Sequence, residues 1–427
     1  MVRFQLEEKA IIFFTRKIPW VERKISEELE KTMSGLRRDV TSQLKGLSYH
    51  RELPGEGWDK EKILAEVTTL LGLAEFKGVS GICHRPGQAR EEVVTEVFSM
   101  TAYTNPLNPD VYPGIRKMEA EVVRMTGSLF KGEPEMCGTM TSGGTESLIL
   151  AVLAYRGYAR ETRGVTRPNL VMAVTGHVGV DKAGHLLGVA VRHVAVDPVS
   201  LRPRVRDLRR ACDSNTIMLL ASAPQYAHGI MDPVTEIAAL GQALNIPVHV
   251  DACLGGFLIV FSEQLGVELE PFDFRVAGVT SISADTHKFG YAPKVSSLPL
   301  YLYLSPEVLQ GSSVIMYSDK KYIHHQYFVS TEWTGGIFIS PTLAGSRSGG
   351  IIAATWAALV NHGLEGYVTA SEKIFQTTEI VKQRIGKIKG LRVLGDPKVC
   401  IIAFTSDHFH IYKIADEMKV EENILSE

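Results

Sequence analysis

Five short apolar runs alternating with helical stretches fill the middle of this chain, and that rhythm excludes most folds. The runs cover residues 170–174, 191–196, 217–222, 246–250 and 279–282, and helical periodicity covers 146–158, 205–211 and 234–244 between them. A strand covered on both faces reads as a continuous apolar run, whereas a helix repeats its apolar positions every three or four residues. The alternation therefore predicts an α/β fold with a large, mainly parallel sheet and helices on both faces. Right-handed crossovers would gather the loops at the strands' carboxyl ends along one edge, where such sheets bind ligands.

The flanks read differently. Apolar positions at Val21, Ile25, Leu29 and Met33 make a helical stripe, and further helical patterns cover 61–71, 90–98 and 115–129. After about residue 350, two helical patterns (351–361 and 366–385) and two short strands (391–393 and 399–404) look like the start of a smaller domain that stops early. The expected division is a helical N-terminal segment (1–104), a large ligand-binding domain (105–349) and a partial C-terminal small domain (350–427). Lys plus Arg number 46 against 48 Asp plus Glu, so no basic excess argues for nucleic acid. The five cysteines are scattered, with no metal-ligand spacing, and read as reduced thiols rather than a metal site. No run reaches the roughly 18 to 20 apolar residues of a membrane span. The nearest, 10–14, fits a packing patch or an interfacial anchor.

Three motifs carry chemistry, and they occur in a fixed order. Ser142-Gly143-Gly144-Thr145 opens the helical stretch at 146. Two glycines allow a tight turn, and the helix start offers unpaired N–H groups, so the turn can cradle a phosphate with hydroxyls from Ser142 and Thr145. Alone, about half of such turns would be only caps. Asp251 ends the run at 246–250, where a carboxylate could pair with the ring nitrogen of pyridoxal phosphate (PLP) and keep it protonated. Its competing role is to cap the next turn. Lys288 follows the run at 279–282, between His287 and Phe289, an unusual position for a surface lysine. Burial there would lower the amine's pKa and make it nucleophilic enough to hold PLP as a Schiff base. His177 follows the run at 170–174 and could stack on the cofactor ring.

Together these motifs resemble the pyridoxal-dependent decarboxylases, and within them the sphingosine-1-phosphate lyase family. The likeness is carried by Asn105-Pro106-Leu107, Ala223-Pro224-Gln225, His228-Gly229, the run from Phe272 through Lys288, Trp333-Thr334-Gly335-Gly336 and Ser340 through Arg347. It implies a PLP-dependent transferase fold of type I, aspartate-aminotransferase-like. It also implies a retro-aldol cleavage of a phosphorylated sphingoid base into a long-chain aldehyde and phosphoethanolamine. By this resemblance Gly143, Gly144 and Thr145 hold the cofactor phosphate, His177 stacks on the ring, and His287 sits beside Lys288. The family works as a homodimer with the site at the subunit interface. It is anchored to the endoplasmic reticulum membrane by an N-terminal span, with its catalytic body in the cytosol; a chain without that span would be cytosolic.

Four departures from the family pattern stand out. His84 replaces a substrate-side tyrosine, and Asn108 replaces a histidine associated with the substrate phosphate. Lys294, expected as a second phosphate contact, is followed by an extra stretch, 295–310, rich in Leu, Tyr and Ser. That stretch reads as a retained non-coding segment or an alternative product, and it threatens the placing of Lys294 and Lys288. Last, the resemblance fades after Met418. Two other readings use the same fold: an amino-acid decarboxylase, with Arg347 receiving the substrate carboxylate, and a catalytically silent, PLP-binding or heterodimerising form. The cofactor reading predicts that the protein supplied with PLP turns yellow and that Lys288→Ala abolishes the visible absorbance band.

Overall fold

The computed structural model describes residues 23, 24, 27, 30, 31, 34, 58–71, 87–107, 110–293, 311–414 and 417. The described residues fall into two units, one up to residue 71 and one from residue 87 onward. In the first, helix α1 (Lys60–Leu71) starts where the Asp59 carboxylate accepts from the Lys62 N–H at 2.8 Å. The Lys62 ammonium lies over the Trp58 ring at 4.2 Å.

The second unit opens with α2 (Gln88–Thr101) and α3 (Pro113–Leu129), followed by β1 (Cys137–Thr141) and α4 (Gly144–Arg163). Strand and helix then alternate through β2 (Asn169–Ala173), α5 (Gly179–Leu187), β3 (Ala190–Val194), α6 (Val205–Ala211), β4 (Thr216–Ser222) and α7 (Val234–Leu244). They continue with β5 (Val248–Asp251), α8 (Gly256–Ile259), β6 (Val279–Ala284), β7 (Ser313–Tyr317) and α9 (Lys320–Ile323). Seven strands form one sheet in the order β1-β7-β6-β5-β4-β2-β3, with β7 antiparallel to both its neighbours and the other pairings parallel. The five expected runs are β2 to β6. β1 and β7 complete the sheet without having been expected.

Every residue of β2 and β4 is buried, which is why these strands read as continuous apolar runs. Leu170, Met172, Ile315 and Tyr317 pack with Leu148, Leu150 and Tyr155 of α4 on one face. Val171, Val314 and Met316 pack on the other with Val122 of α3, Ile237 of α7 and Ile352. Burying each large aliphatic side chain contributes about 1.5–3 kcal/mol, so the sheet is anchored from both sides.

A short hairpin, β8 (Phe328–Ser330) with β9 (Phe338–Ser340), carries exposed Phe328, Val329, Ile337 and Ile339. Next comes α10 (Gly349–Lys387), started by the Ser348 hydroxyl, which accepts from the Ile351 N–H. Gly363 breaks it into two helical arms with φ 63° and ψ 168°, at the interruption expected between 361 and 366. Ile351, Ala354 and Ala358 of the first arm pack with Val94 and Phe98 of α2. Ile352, Ala353 and Leu359 join the sheet's core, so packing is continuous across residues 349 and 350. Strands β10 (Arg392–Val393) and β11 (Phe404–Thr405) pair beyond it. The dihedrals of Gly363 lie in a region essentially reserved for glycine, where a side chain costs about 1–3 kcal/mol. Gly363→Ala is therefore expected to lower unfolding stability by that amount in urea titration, while Gly386→Ala, in the last turn of the second arm where a Cβ meets nothing, raises it or leaves it unchanged.

Candidate active site

β4, β5 and β6 run side by side, and their registers set Ser222, Asp251 and Ser283 in one row at the carboxyl ends. The turn from β1 into α4 and the turn after β2 reach the same edge. Between them lies a cavity of about 690 Å³, lined by Ser142, Gly143, Gly144, Thr145, His177, Asp251, His287 and Lys288 together with Glu146, Cys253 and Asp285. All the expected cofactor-side residues thus meet in one place. His84, Asn108, Lys294 and the stretch 295–310 lie outside the described residues.

The cradle is built by two glycines with different tasks. Gly143 has φ 144°, which side chains rarely adopt. At Gly144, a Cβ would lie 2.8 Å from both Asp285 Oδ1 and Cys253 Sγ, so the close approach of these chains requires a bare Cα. No side chain caps the start of α4, whose first N–H groups remain available to an anion. Glu146 is engaged on both sides: Oε2 accepts from the Ser142 N–H at 2.6 Å and Oε1 from the Leu343 N–H at 3.1 Å. Below the turn, hydroxyls of Thr141, Ser147 and Ser313 link at 2.7 and 2.9 Å and tie α4 to β1 and β7.

Asp251 is 7 % exposed at the cavity floor, and its Oδ1 accepts from the Cys253 N–H at 3.1 Å. It therefore makes the turn-capping contact and still faces the cavity. One pleat below it on β5, His249 is fully buried, its Nδ1 2.7 Å from the Ser281 hydroxyl and its Nε2 3.0 Å from that of Ser283. Burial holds this imidazole neutral, with its pKa pulled down to about 4. The Ser283 hydroxyl in turn accepts from the Cys253 thiol at 3.2 Å, so the floor rests on a connected polar layer. His177 Nδ1 accepts from the Gly179 N–H at 3.0 Å, which places the ring proton on Nε2.

Lys288 corrects one expectation. Burial is the largest single influence and pulls its pKa down, but the Asp285 carboxylate 3.0 Å from Nζ, together with Cys253 and Asp251, outweighs it and holds the lysine above its ordinary value. Asp285 itself is 3 % exposed. Burial would raise its pKa, yet the charges of Lys288 and His287 hold it below the usual carboxylate range. His287 Nε2 is 3.6 Å from the same Oδ2, and its Nδ1 lies 2.6 Å from the Ser312 carbonyl oxygen. Asp285 lies within the run from Phe272 through Lys288, three residues before the lysine. Its signal was an acidic residue three positions before a candidate reactive lysine.

Arg347 does not serve this cavity. Both its terminal nitrogens donate to Glu119, and the two side chains are largely buried together. It lines an adjoining cavity of about 310 Å³ that shares Ser142, Thr145 and Glu146 with the first. A larger cleft of about 990 Å³, edged by Glu263, Glu268, Glu270 and Arg275, contains none of the cradle residues. Among the described residues no cluster of His, Cys, Asp and Glu could hold a metal ion.

The donor set suits PLP: a glycine cradle at a helix start for the phosphate, a buried carboxylate for the ring nitrogen and an amine between them. Comparison with known proteins agrees. Residues 84–407 match the pyridoxal-dependent decarboxylase conserved domain. The chain is 44% identical over 409 residues to a sphingosine-1-phosphate lyase of Drosophila melanogaster, covering 95% of this chain and 72% of the relative. With sphingosine-1-phosphate lyase 1 of Mus musculus it shares 42% identity over 418 residues, 97% of this chain and 70% of that one. The solved structure of a sphingosine-1-phosphate lyase from Burkholderia pseudomallei superposes with a TM-score of 0.81 at 38% identity, covering 88% of this chain and 85% of that chain.

Gly144→Ala tests the cradle. The added methyl must displace Asp285 or Cys253, so PLP affinity, read from absorbance titration, is expected to fall by at least about tenfold, which is 1.4 kcal/mol. Unfolding should remain a single cooperative transition.

Proposed function

Because the chain belongs to the sphingosine-1-phosphate lyase family of the pyridoxal-dependent decarboxylases, we propose that it cleaves phosphorylated sphingoid bases between C2 and C3, releasing a long-chain aldehyde and phosphoethanolamine. It is a PLP-dependent lyase. The observation that carries the reading is the meeting of Lys288, Asp251 and the 142–145 cradle in one cavity, in a chain with relatives of this kind along nearly its whole length.

Retro-aldol cleavage needs a base for the C3 hydroxyl proton and a sink for the electron pair left on C2; PLP, when bound, supplies the sink. Gly143, Gly144 and Thr145 would hold the phosphate, Asp251 would pair with the ring nitrogen and keep it protonated, and His177 would lie against the ring. Lys288 would supply the amine that anchors the cofactor. His287, whose Nδ1 is engaged with Ser312, presents Nε2 beside Lys288 and Asp285, where a proton can be held or passed. The amino-acid decarboxylase alternative needs a cation for the substrate carboxylate, and its candidate Arg347 is committed to Glu119.

The same proposal extends to assembly and place. The exposed apolar side chains of the β8–β9 hairpin support a homodimer, since a second copy would remove them from water. Action at the cytosolic face of the endoplasmic reticulum rests on the family resemblance. Among the described residues no helix is long and apolar enough to cross a membrane.

Incubation with sphinganine 1-phosphate should yield a long-chain aldehyde, and incubation with amino acids should yield no carbon dioxide; the reverse pattern would sink the lyase reading. Asp251→Asn should lower turnover on the order of 10²-fold while leaving the protein folded, as loss of one preorganised electrostatic partner does elsewhere.

A further inference from the structure

We infer that Asp285 is the counter-ion that holds Lys288 as an ammonium before the cofactor arrives, and that this pair sets the pH above which the lysine can react. The inference deepens the PLP-lyase reading and rests on it for its meaning, but its geometry stands by itself. Asp285 Oδ2 lies 3.0 Å from Lys288 Nζ, and the carboxylate side chain is 2% exposed while that of the lysine is 20% exposed. Among the described residues it is the one carboxylate in ion-pair contact with this amine. Among the described residues the other ionisable groups facing Lys288 are Asp251, Cys253 and His287, which line the same cavity, and Cys400, which does not.

The fold spends several constraints on this contact. Lys288 follows Asp285 by three residues in a turn closed by the Lys288 N–H donating to the Asp285 carbonyl oxygen at 3.3 Å. The Asp285 N–H donates to the Cys253 carbonyl oxygen, also at 3.3 Å, which fixes the carboxylate against the β5 loop. Gly144 opens the space that the carboxylate fills. None of these features is required for a lysine that merely has to be near PLP. A lone buried lysine would shed its proton readily, whereas this one is kept charged beside an anion it cannot leave without moving.

Only the neutral amine attacks a carbonyl. The ammonium must first give a proton to water at the cavity mouth, after which the nitrogen lone pair is free. Each unit of raised pKa cuts the neutral fraction about tenfold below the midpoint. Asp285 therefore trades speed of cofactor attachment for a fixed, oriented amine. Removing its charge leaves burial as the main influence on the lysine, with Asp251 the remaining nearby carboxylate.

The test needs neither substrate nor PLP. The full chain is freed of cofactor with hydroxylamine, and trinitrobenzenesulfonate labelling of Lys288 is followed against pH by peptide mass mapping, with Lys288→Ala as control. Wild-type labelling should show a midpoint above the ordinary lysine value of about 10.4. Asp285→Asn should move it down by a unit or more and label about tenfold faster near pH 8. A wild-type midpoint at or below the ordinary value overturns the inference even if the variant fails to fold. So does a folded Asp285→Asn whose midpoint is unchanged, since a merely structural role would leave the profile in place. Failure of the stripped wild type to regain a visible band when PLP is added back would instead count against the cofactor reading, so the two failures are distinguishable.

Discussion

Asp285 and Lys288 meet at 3.0 Å in surroundings where neither charge could remain alone. Burying one ion of such a pair without the other is strongly destabilising, so the two must be delivered together. Much of the site follows from that delivery. β6 carries Asp285 to the cavity, the turn after it swings Lys288 back over the carboxylate, and α4 begins with Gly144 because a side chain there would collide with Asp285. His287 Nε2 lies 3.6 Å from the same carboxylate oxygen, so Asp285, His287 and Lys288 converge on one atom.

The parallel sheet makes this placement rigid. β5 and β6 stand in register with Asp251 opposite Ser283, and the layer beneath, His249 with Ser281 and Ser283, has its polar atoms paired. A half-satisfied polar layer would cost stability, while a paired one holds its neighbours at fixed distance. The tuning of the upper row, Asp251, Cys253 and Asp285, therefore rests on uncharged groups that no substrate reaches.

Much of this was legible in the residues. β2 to β6 announce themselves because both faces are covered, and the helical break at Gly363 falls where the apolar periodicity lapses. β1 was not legible: Cys137-Gly138-Thr139-Met140-Thr141 alternates weakly and carries two threonines whose burial depends on the tertiary fold. β7 is fully buried and apolar, but it follows another apolar stretch, and no local signal says which of the two enters the sheet. At the site, the residue types at 142–145, 177, 251, 287 and 288 pointed to the chemistry, and the cavity brings them together. The sign of the Lys288 shift was not legible, because burial and pairing act in opposite directions and only a distance decides between them. Arg347 likewise looked available until Glu119, 228 positions earlier, proved to hold it.

The turn bearing Lys288 is stapled at both margins. The Ala292 N–H donates to the Thr286 carbonyl oxygen at 2.9 Å, the His287 N–H donates to the Ser312 carbonyl oxygen at 3.1 Å, and the Thr286 hydroxyl donates to that of Ser312 at 2.7 Å. Gly311 passes so close to His287 that a Cβ there would lie 2.8 Å from the ring. Ser312 thus grips both residues that precede the reactive lysine, so the placing of Lys288 is a joint property of two chain segments rather than of its own motif alone.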